Sequence, residues 1–127
     1  MIIDASVAAA VCLGEADAEF FITILETARN PRMSAATFVA SAVVIDSRQP
    51  GAFDAFATAL ELEVLPVERE QAELARDAYR RYGRGSGHPA RLNFGDCFSY
   101  ALARHLNAPL LFKGEDFALT DVQSATW

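Results

Sequence analysis

The chain begins with Met-Ile-Ile-Asp-Ala-Ser (residues 1–6), a short apolar run that ends in an acid and leads into an alanine- and valine-rich stretch. The apolar run predicts a buried strand over residues 1–4. Residues 5–13 are predicted to form a helix that Gly14 ends, because glycine suits the left-handed conformation common after a helix C-terminus. A strand that leads directly into a helix is typical of α/β proteins.

The rest of the chain continues this alternation of strand and helix patterns. Further helices are predicted over 17–29, 34–48, 52–62, 68–82 and 96–106. Further strands are predicted over 32–35, 63–67 and 110–112, with an edge strand over 121–127 and an extended loop over 83–93. Because parallel strands are joined through helices that cover the sheet, we predict one domain, residues 1–127. Its expected fold is a three-layer α/β fold with a parallel central sheet flanked by helices.

Composition restricts the class of protein. Apolar residues make up 52% of the chain and charged residues 22%, which indicates a globular protein rather than a disordered one. Polar or charged residues interrupt every apolar stretch before the ~20 residues needed to cross a bilayer, so no membrane association is expected. No basic region precedes the first apolar run, which argues against a signal peptide and favours a cytoplasmic location.

The net charge of −6 argues against binding of nucleic acid through a broadly basic surface. It does not exclude a nuclease, because acids that bind a divalent metal ion invert the charge at their own site.

Three acids fall where the strands of the predicted sheet end. Asp4 ends the first strand, Asp116 follows the 110–112 strand, and Asp96 opens the helix after the long loop. Asp96 could simply favour a helix N-terminus and Asp116 could cap a turn, but Asp4 would be a costly carboxylate at the end of a buried strand. Because ligands of parallel sheets gather at the carboxyl ends of strands, the three acids could form one Mg²⁺ or Mn²⁺ site. Such a metal supports phosphodiester hydrolysis by activated water.

Four segments, in order along the chain, resemble the VapC toxins, which are endoribonucleases with a PIN domain. They are Met-Ile-Ile-Asp-Ala-Ser (1–6), Met-Ser-Ala-Ala-Thr (33–37), Arg-Leu-Asn-Phe-Gly-Asp-Cys-Phe-Ser-Tyr-Ala-Leu-Ala (91–103) and Leu-Leu-Phe-Lys-Gly-Glu-Asp-Phe-Ala-Leu-Thr-Asp-Val (110–122). The resemblance implies RNA cleavage by metal-activated water, with transfer RNA or another structured RNA as the usual target class. It also implies a VapB-type antitoxin and a toxin homodimer as partners.

The resemblance further implies roles for individual residues. Asp4, Asp96 and Asp116 would bind the metal, Asp121 would lie near them, and Ser6 would supply a supporting hydrogen bond. The antitoxin tail is expected to carry apolar anchors and an arginine, because the early helices are rich in phenylalanine and an acidic pocket can accept a guanidinium.

One position departs from the family pattern, which places a glutamate six residues after the serine at position 34. That position is Ala40, and residues 37–42 contain no acid. Asp46 is six residues further along, which is a rotation of about 240° on a helix, so Asp46 cannot readily substitute. We therefore expect a weakened catalytic site.

Arg84, Arg91 and Lys113 are the candidate RNA-binding residues. Two other functions remain open at this stage. One is a catalytically silent PIN fold that still binds antitoxin or RNA. The other is a receiver-like phosphoacceptor domain, which Asp4 and Lys113 superficially match but which needs an acid at the end of a middle strand. The 63–67 strand offers none there.

Overall fold

The computed structural model describes residues 1–126 and contains one four-stranded parallel sheet. Its strands are β1 (Ile2–Ile3), β2 (Arg32–Ser34), β3 (Glu63–Leu65) and β4 (Leu110–Leu111). They are arranged in the order β3-β2-β1-β4, so β1 is central and its carboxyl end is flanked by those of β2 and β4. The predicted α/β class and parallel sheet are confirmed.

Six α-helices connect and cover the strands within the described residues. They are α1 (Ala5–Cys12), α2 (Ala18–Glu26), α3 (Ala35–Asp46), α4 (Ala52–Ala59), α5 (Arg69–Tyr82) and α6 (Asp96–His105), followed by a short 3₁₀ turn, Phe117–Leu119. The predicted helices are confirmed, with ends that differ by up to three residues, as expected for terminal turns. None of these helices combines the length and the hydropathy needed to cross a bilayer.

The three layers follow from the alternation of side chains along each strand. Ile2 and Leu110 are fully buried in a core on one face of the sheet, together with residues of α5 and α6 such as Ala78 and Tyr100. Ile3 and Leu111, their neighbours in the chain, are buried in a second core with residues of α1 to α4. The sheet therefore lies between α5 and α6 on one side and α1 to α4 on the other.

The predicted edge strand over 121–127 is wrong for the described residues. The segment makes one isolated parallel bridge, in which the Leu110 N–H donates to the Gln123 carbonyl at 2.8 Å and the Ala125 N–H donates to Leu110 at 2.9 Å. β4 is only two residues long, and within residues 1–126 its pairing with this segment is an isolated bridge. Trp127 lies outside the described residues.

Asp121 anchors this C-terminal segment to the helical layer. Its carboxylate accepts a hydrogen bond from the Tyr100 hydroxyl at 2.6 Å and lies 3.5 Å from Arg81 and 4.0 Å from Arg104. Burial alone would raise the pKa of Asp121, but the Tyr100 hydrogen bond and the two guanidiniums hold that pKa below its usual value. The charged form of Asp121 therefore favours the folded state.

Gly83 ends α5 against the last turn of that helix. Its N–H donates to the Tyr79 carbonyl at 2.9 Å. A Cβ on Gly83 would overlap the Tyr79 carbonyl oxygen and would lie 2.8 Å from two atoms of the Tyr79 ring. The requirement at this position is therefore for space rather than for an unusual φ.

Acid should weaken the anchoring by Asp121. Because the pKa of Asp121 is lowered on folding, its contribution is present above the unfolded pKa of about 3.9 and is lost as the pH falls through the lower folded value. Urea unfolding between pH 3 and 7 should therefore show a wild-type advantage over Asp121→Asn that shrinks below about pH 4. A difference that stays constant across this range would contradict the assignment.

Gly83→Ala should lower the free energy of unfolding by about 1–3 kcal/mol, the usual cost of forcing an extra methyl group into occupied space. Gly95→Ala is the matched control, because Gly95 has helical backbone angles and its added Cβ would only approach Asn93 Oδ1 to 3.4 Å. The free energy of unfolding of that variant, measured by urea denaturation, should stay within about 0.5 kcal/mol of the parent value. Equal effects of the two substitutions would show that the Tyr79 contact is not the constraint.

Candidate active site

Asp4 is the buried acid at the carboxyl end of the central strand, with 4% of its surface exposed. One carboxylate oxygen accepts a hydrogen bond from the Ser99 hydroxyl at 2.5 Å. The other accepts from the Ser6 hydroxyl at 2.6 Å and from the Ser6 N–H at 3.0 Å, which also caps α1. The hydrogen bond expected from Ser6 is present, and these donors set the orientation of the carboxylate.

A second set of hydrogen bonds orients the hydroxyls around Asp4. Ser6 accepts from the Lys113 N–H at 3.0 Å, which ties the loop after β4 to the site. Thr37 and Ser99 are buried with their hydroxyl oxygens 3.2 Å apart. Because the Ser99 proton is directed to Asp4, Thr37 is the donor in this pair.

Sequence analysis did not single out Thr37 or Ser99. Ser99 does follow Asp96 by three residues, which places both on the same face of α6, and that spacing was the available signal.

Asp96 is held by a reciprocal pair of hydrogen bonds at the start of α6. Its N–H donates to the Asn93 side-chain oxygen at 2.8 Å, and its carboxylate accepts from the Asn93 N–H at 2.9 Å. This is the geometry of a capping box, in which the side chains at both ends satisfy each other's backbone donors. Asp96 therefore stabilises the helix N-terminus and also presents one carboxylate in a defined direction. Asn93 is a further residue that sequence analysis did not identify.

Burial raises the pKa of Asp96 to about 6, although the hydrogen bond from the Asn93 backbone opposes this shift. The negative charges of Asp4 and Asp116 raise the pKa further, and the positive charge of Arg84 lowers it. The three acids predicted to act together therefore interact electrostatically. Their mutual repulsion is the condition that a bound cation would relieve.

A cavity of about 270 Å³ opens beside these acids. Asp4 and Asp96 both line it, and Ala40 on α3 lines it as well. Asp46 is exposed elsewhere on α3, and its charge, together with burial, raises the pKa of the Cys12 thiol to about 11. The expected glutamate position therefore faces the acids, and Asp46 does not replace it.

The other two predicted acids lie differently. Asp116 is exposed just before the 3₁₀ turn, whereas the carboxylate of Asp121 is engaged by Tyr100, Arg81 and Arg104. Within residues 1–126, no three His, Cys, Asp or Glu side chains lie close enough together to hold a metal ion. The metal site formed by Asp4, Asp96 and Asp116 stays a prediction.

The candidate RNA-binding residues also differ in their surroundings. Arg84 and Arg91 are exposed on the segment between α5 and α6, and Arg91 has a left-handed backbone with φ of 52°. The Lys113 ammonium donates to Glu15 at 2.6 Å and to Asp17 at 3.0 Å. These two acids compete for Lys113, so Arg84 and Arg91 are the better placed of the three for RNA.

Comparison with known proteins finds a family match and similar proteins that agree with each other. The PIN domain family matches residues 1–123. The VapC ribonuclease Mb0625 of Mycobacterium bovis is 46% identical, with 98% of this chain and 97% of that protein aligned. Ribonuclease VapC42 of Mycobacterium tuberculosis is 43% identical over 98% of both chains.

A solved structure agrees at the level of the fold. Mycobacterium tuberculosis VapC20, described as a Sarcin-Ricin loop cleaving toxin, superposes with a TM-score of 0.76 over 95% of both chains, at 20% sequence identity. Since the family match and the similarity to the VapC relatives extend over nearly the whole chain, the protein belongs to the PIN-domain family, among its VapC-type members.

Proposed function

We propose that this chain is a metal-dependent endoribonuclease toxin of a type II toxin–antitoxin module, whose activity is weakened by Ala40. The observation that carries the proposal is the pair of oriented carboxylates, Asp4 and Asp96, that line one cavity at the carboxyl end of the central strand. The mycobacterial relatives named as ribonucleases support the choice of RNA as substrate.

Mg²⁺ or Mn²⁺ is the proposed cofactor, and Asp4, Asp96 and Asp116 would have to move closer together to hold it. The chemistry of the donor set fits such an ion, because all three groups supply anionic oxygens. Burial raises the pKa of Asp96, and the charges of Asp4 and Asp116 raise it further. The metal would supply an activated water and would stabilise charge on a phosphoryl oxygen. The protein's own contribution is orientation: Ser6 and Ser99 direct Asp4, and Asn93 directs Asp96.

A catalytically silent binding module is the second candidate function. The specific observation in its favour is Ala40, which borders the cavity where the family pattern places a carboxylate. Such a protein would keep the fold and bind antitoxin or RNA without cleaving. The two functions differ in whether metal-dependent cleavage can be measured and restored.

The proposed antitoxin is of the VapB type, and its tail would carry apolar anchors and an arginine. An apolar groove of about 620 Å³ between α1, α2 and α4 suits the anchors; its lining includes Leu25, Phe56 and Leu60, with Glu26 and Glu61 also present. The cavity that Asp4 and Asp96 line suits the arginine, because carboxylates accept guanidinium hydrogen bonds in a planar fork. The proposed target is a structured RNA such as transfer RNA, in the cytoplasm.

A homodimer is also proposed, through the exposed face of α3. Among the phenylalanines of the early helices, Phe21 and Phe53 are buried in the core and form no exposed surface. On α3, by contrast, Val39 is 60% exposed and Val43 is 66% exposed. A continuous exposed apolar stripe of this kind favours contact with another protein surface.

Ala40→Glu should raise Mg²⁺- or Mn²⁺-dependent RNA cleavage by at least about tenfold, because loss of one such group typically costs 10- to 100-fold in metal affinity or activity. It should also make expression toxic. Ala40→Gln is the matched control, since it adds similar bulk without charge and should give little gain. Brisk cleavage by the parent chain, with no gain from Ala40→Glu, would show that the missing acid has been placed wrongly.

Val43→Lys should convert a dimer to a monomer, because it introduces a charge into the exposed stripe of α3. Light scattering at several protein concentrations would measure the mass. Val64→Lys is the control, since Val64 is 38% exposed on β3, outside that stripe, and its replacement should leave the mass unchanged. A parent chain that is monomeric at high concentration would rule out the homodimer.

A further inference from the structure

Phe94 is an exposed aromatic residue beside the candidate active site. It is 75% exposed, more than any other large apolar residue in the described part of the chain. Exposure of a phenylalanine forgoes the favourable free energy of burying its apolar surface. Phe94 lies two residues before Asp96 in the chain, in the segment that leads into α6, the helix that carries Asp96.

The structure prevents Phe94 from folding back into the core. The residue lies inside the capping box, where the hydrogen bonds between Asn93 and Asp96 fix the backbone on both sides of it. Its ring contacts the Phe98 ring nearly at a right angle, with centroids 5.0 Å apart. The ring is therefore held in position while most of its surface stays accessible.

Phe94 also lines a cavity of about 320 Å³ between α5 and the start of α6. This volume is at the lower end of the ~300–1,000 Å³ found for small-molecule sites. Its other lining residues include the aromatic Phe98 and Tyr79, with Tyr79 43% exposed. An aromatic-lined cavity of this size suits one planar group better than an extended peptide.

The charges on the rim of this cavity favour a polyanion. Arg76 and Arg80 both line it, and their side chains are 72% exposed. Each guanidinium lies within reach of one acid on the same helix, Glu73 at 3.6 Å and Asp77 at 3.7 Å. Exposed pairs of this kind contribute little stability, so both arginines can exchange the acid for a phosphate.

We propose that Phe94 is a stacking platform for an unpaired base of the RNA substrate, in the cavity between α5 and the start of α6. Arg76 and Arg80 would bind the backbone phosphates of the same strand. The combination of aromatic surface and flanking cations is how proteins bind single-stranded nucleic acid. This inference rests on the proposed ribonuclease function and assigns Phe94 a role in substrate binding rather than in the chemical step.

A thermodynamic cycle between Phe94 and the base tests the proposal. Binding is measured by fluorescence anisotropy in Mg²⁺ buffer, with a labelled mixed-sequence single-stranded RNA and the same strand made without bases. Gel electrophoresis checks that both probes stay intact. Phe94→Leu should weaken binding of the base-containing RNA about 5- to 100-fold and should leave binding of the abasic strand unchanged.

Three control variants separate stacking from other effects. Phe94→Trp should keep or improve the affinity, because it preserves a stacking surface. Arg76→Ala should weaken both probes alike, since it removes a phosphate contact. Phe20→Leu makes the same chemical change at another exposed phenylalanine, 56% exposed on α2, and should change neither affinity.

The stacking role would be overturned if Phe94→Leu lowered the affinity for both probes equally, or lowered neither affinity. A change in dimer mass or antitoxin binding in Phe94→Leu, with RNA affinity unchanged, would instead assign the ring to a protein interface. Failure of the parent and of Ala40→Glu to bind or cut any RNA would reject the ribonuclease function and this inference together. If Ala40→Glu cleaves RNA and the addition of Phe94→Leu changes neither its RNA affinity nor its cleavage rate, only the inference is rejected.

Discussion

The arrangement of the site depends on the hydrogen bonds that satisfy the buried carboxylate of Asp4. A carboxylate at the end of a central strand is costly to bury unless its oxygens accept hydrogen bonds. Ser6 supplies them from α1 and Ser99 from α6, while Thr37 on α3 and the backbone of Lys113 hold those two hydroxyls in place. Elements from both faces of the sheet therefore converge on one side chain, and their relative positions are coupled through it.

Asp96 stabilises the start of a helix at the same place where it lines the candidate active site. Its hydrogen bonds with Asn93 begin α6, so the acid is fixed by the helix that it helps to form. The same hydrogen bonds position Phe94, because the capping box encloses it. Burial raises the pKa of Asp96, and the negative charges of Asp4 and Asp116 raise it further.

The consequence of Ala40 follows from the same balance of charge. An additional glutamate in the cavity would add a negative charge to a group of acids that already repel one another. Alanine removes that repulsion and is a strong helix former, so the fold is compatible with its presence. In the proposed function, the group that Ala40 lacks would be a ligand or hydrogen-bond acceptor for metal binding and water positioning rather than a packing group.

The sequence by itself determined the α/β class and the position of each helix, and it singled out Asp4 and Asp96, which both line one cavity. These features depend on local periodicity and on the cost of an acid after an apolar run, and both can be read from neighbouring residues.

Only the tertiary structure identified Thr37 and Ser99 as partners, because their contact joins positions 62 residues apart and neither hydroxyl is distinctive in a helix. Only the tertiary structure also shows that the Lys113 ammonium donates hydrogen bonds to Glu15 and Asp17, nearly a hundred residues away in the chain. Burial of Phe53 and exposure of Phe94 were likewise decided by the fold, since the same side chain serves in a core or at a surface according to what packs against it.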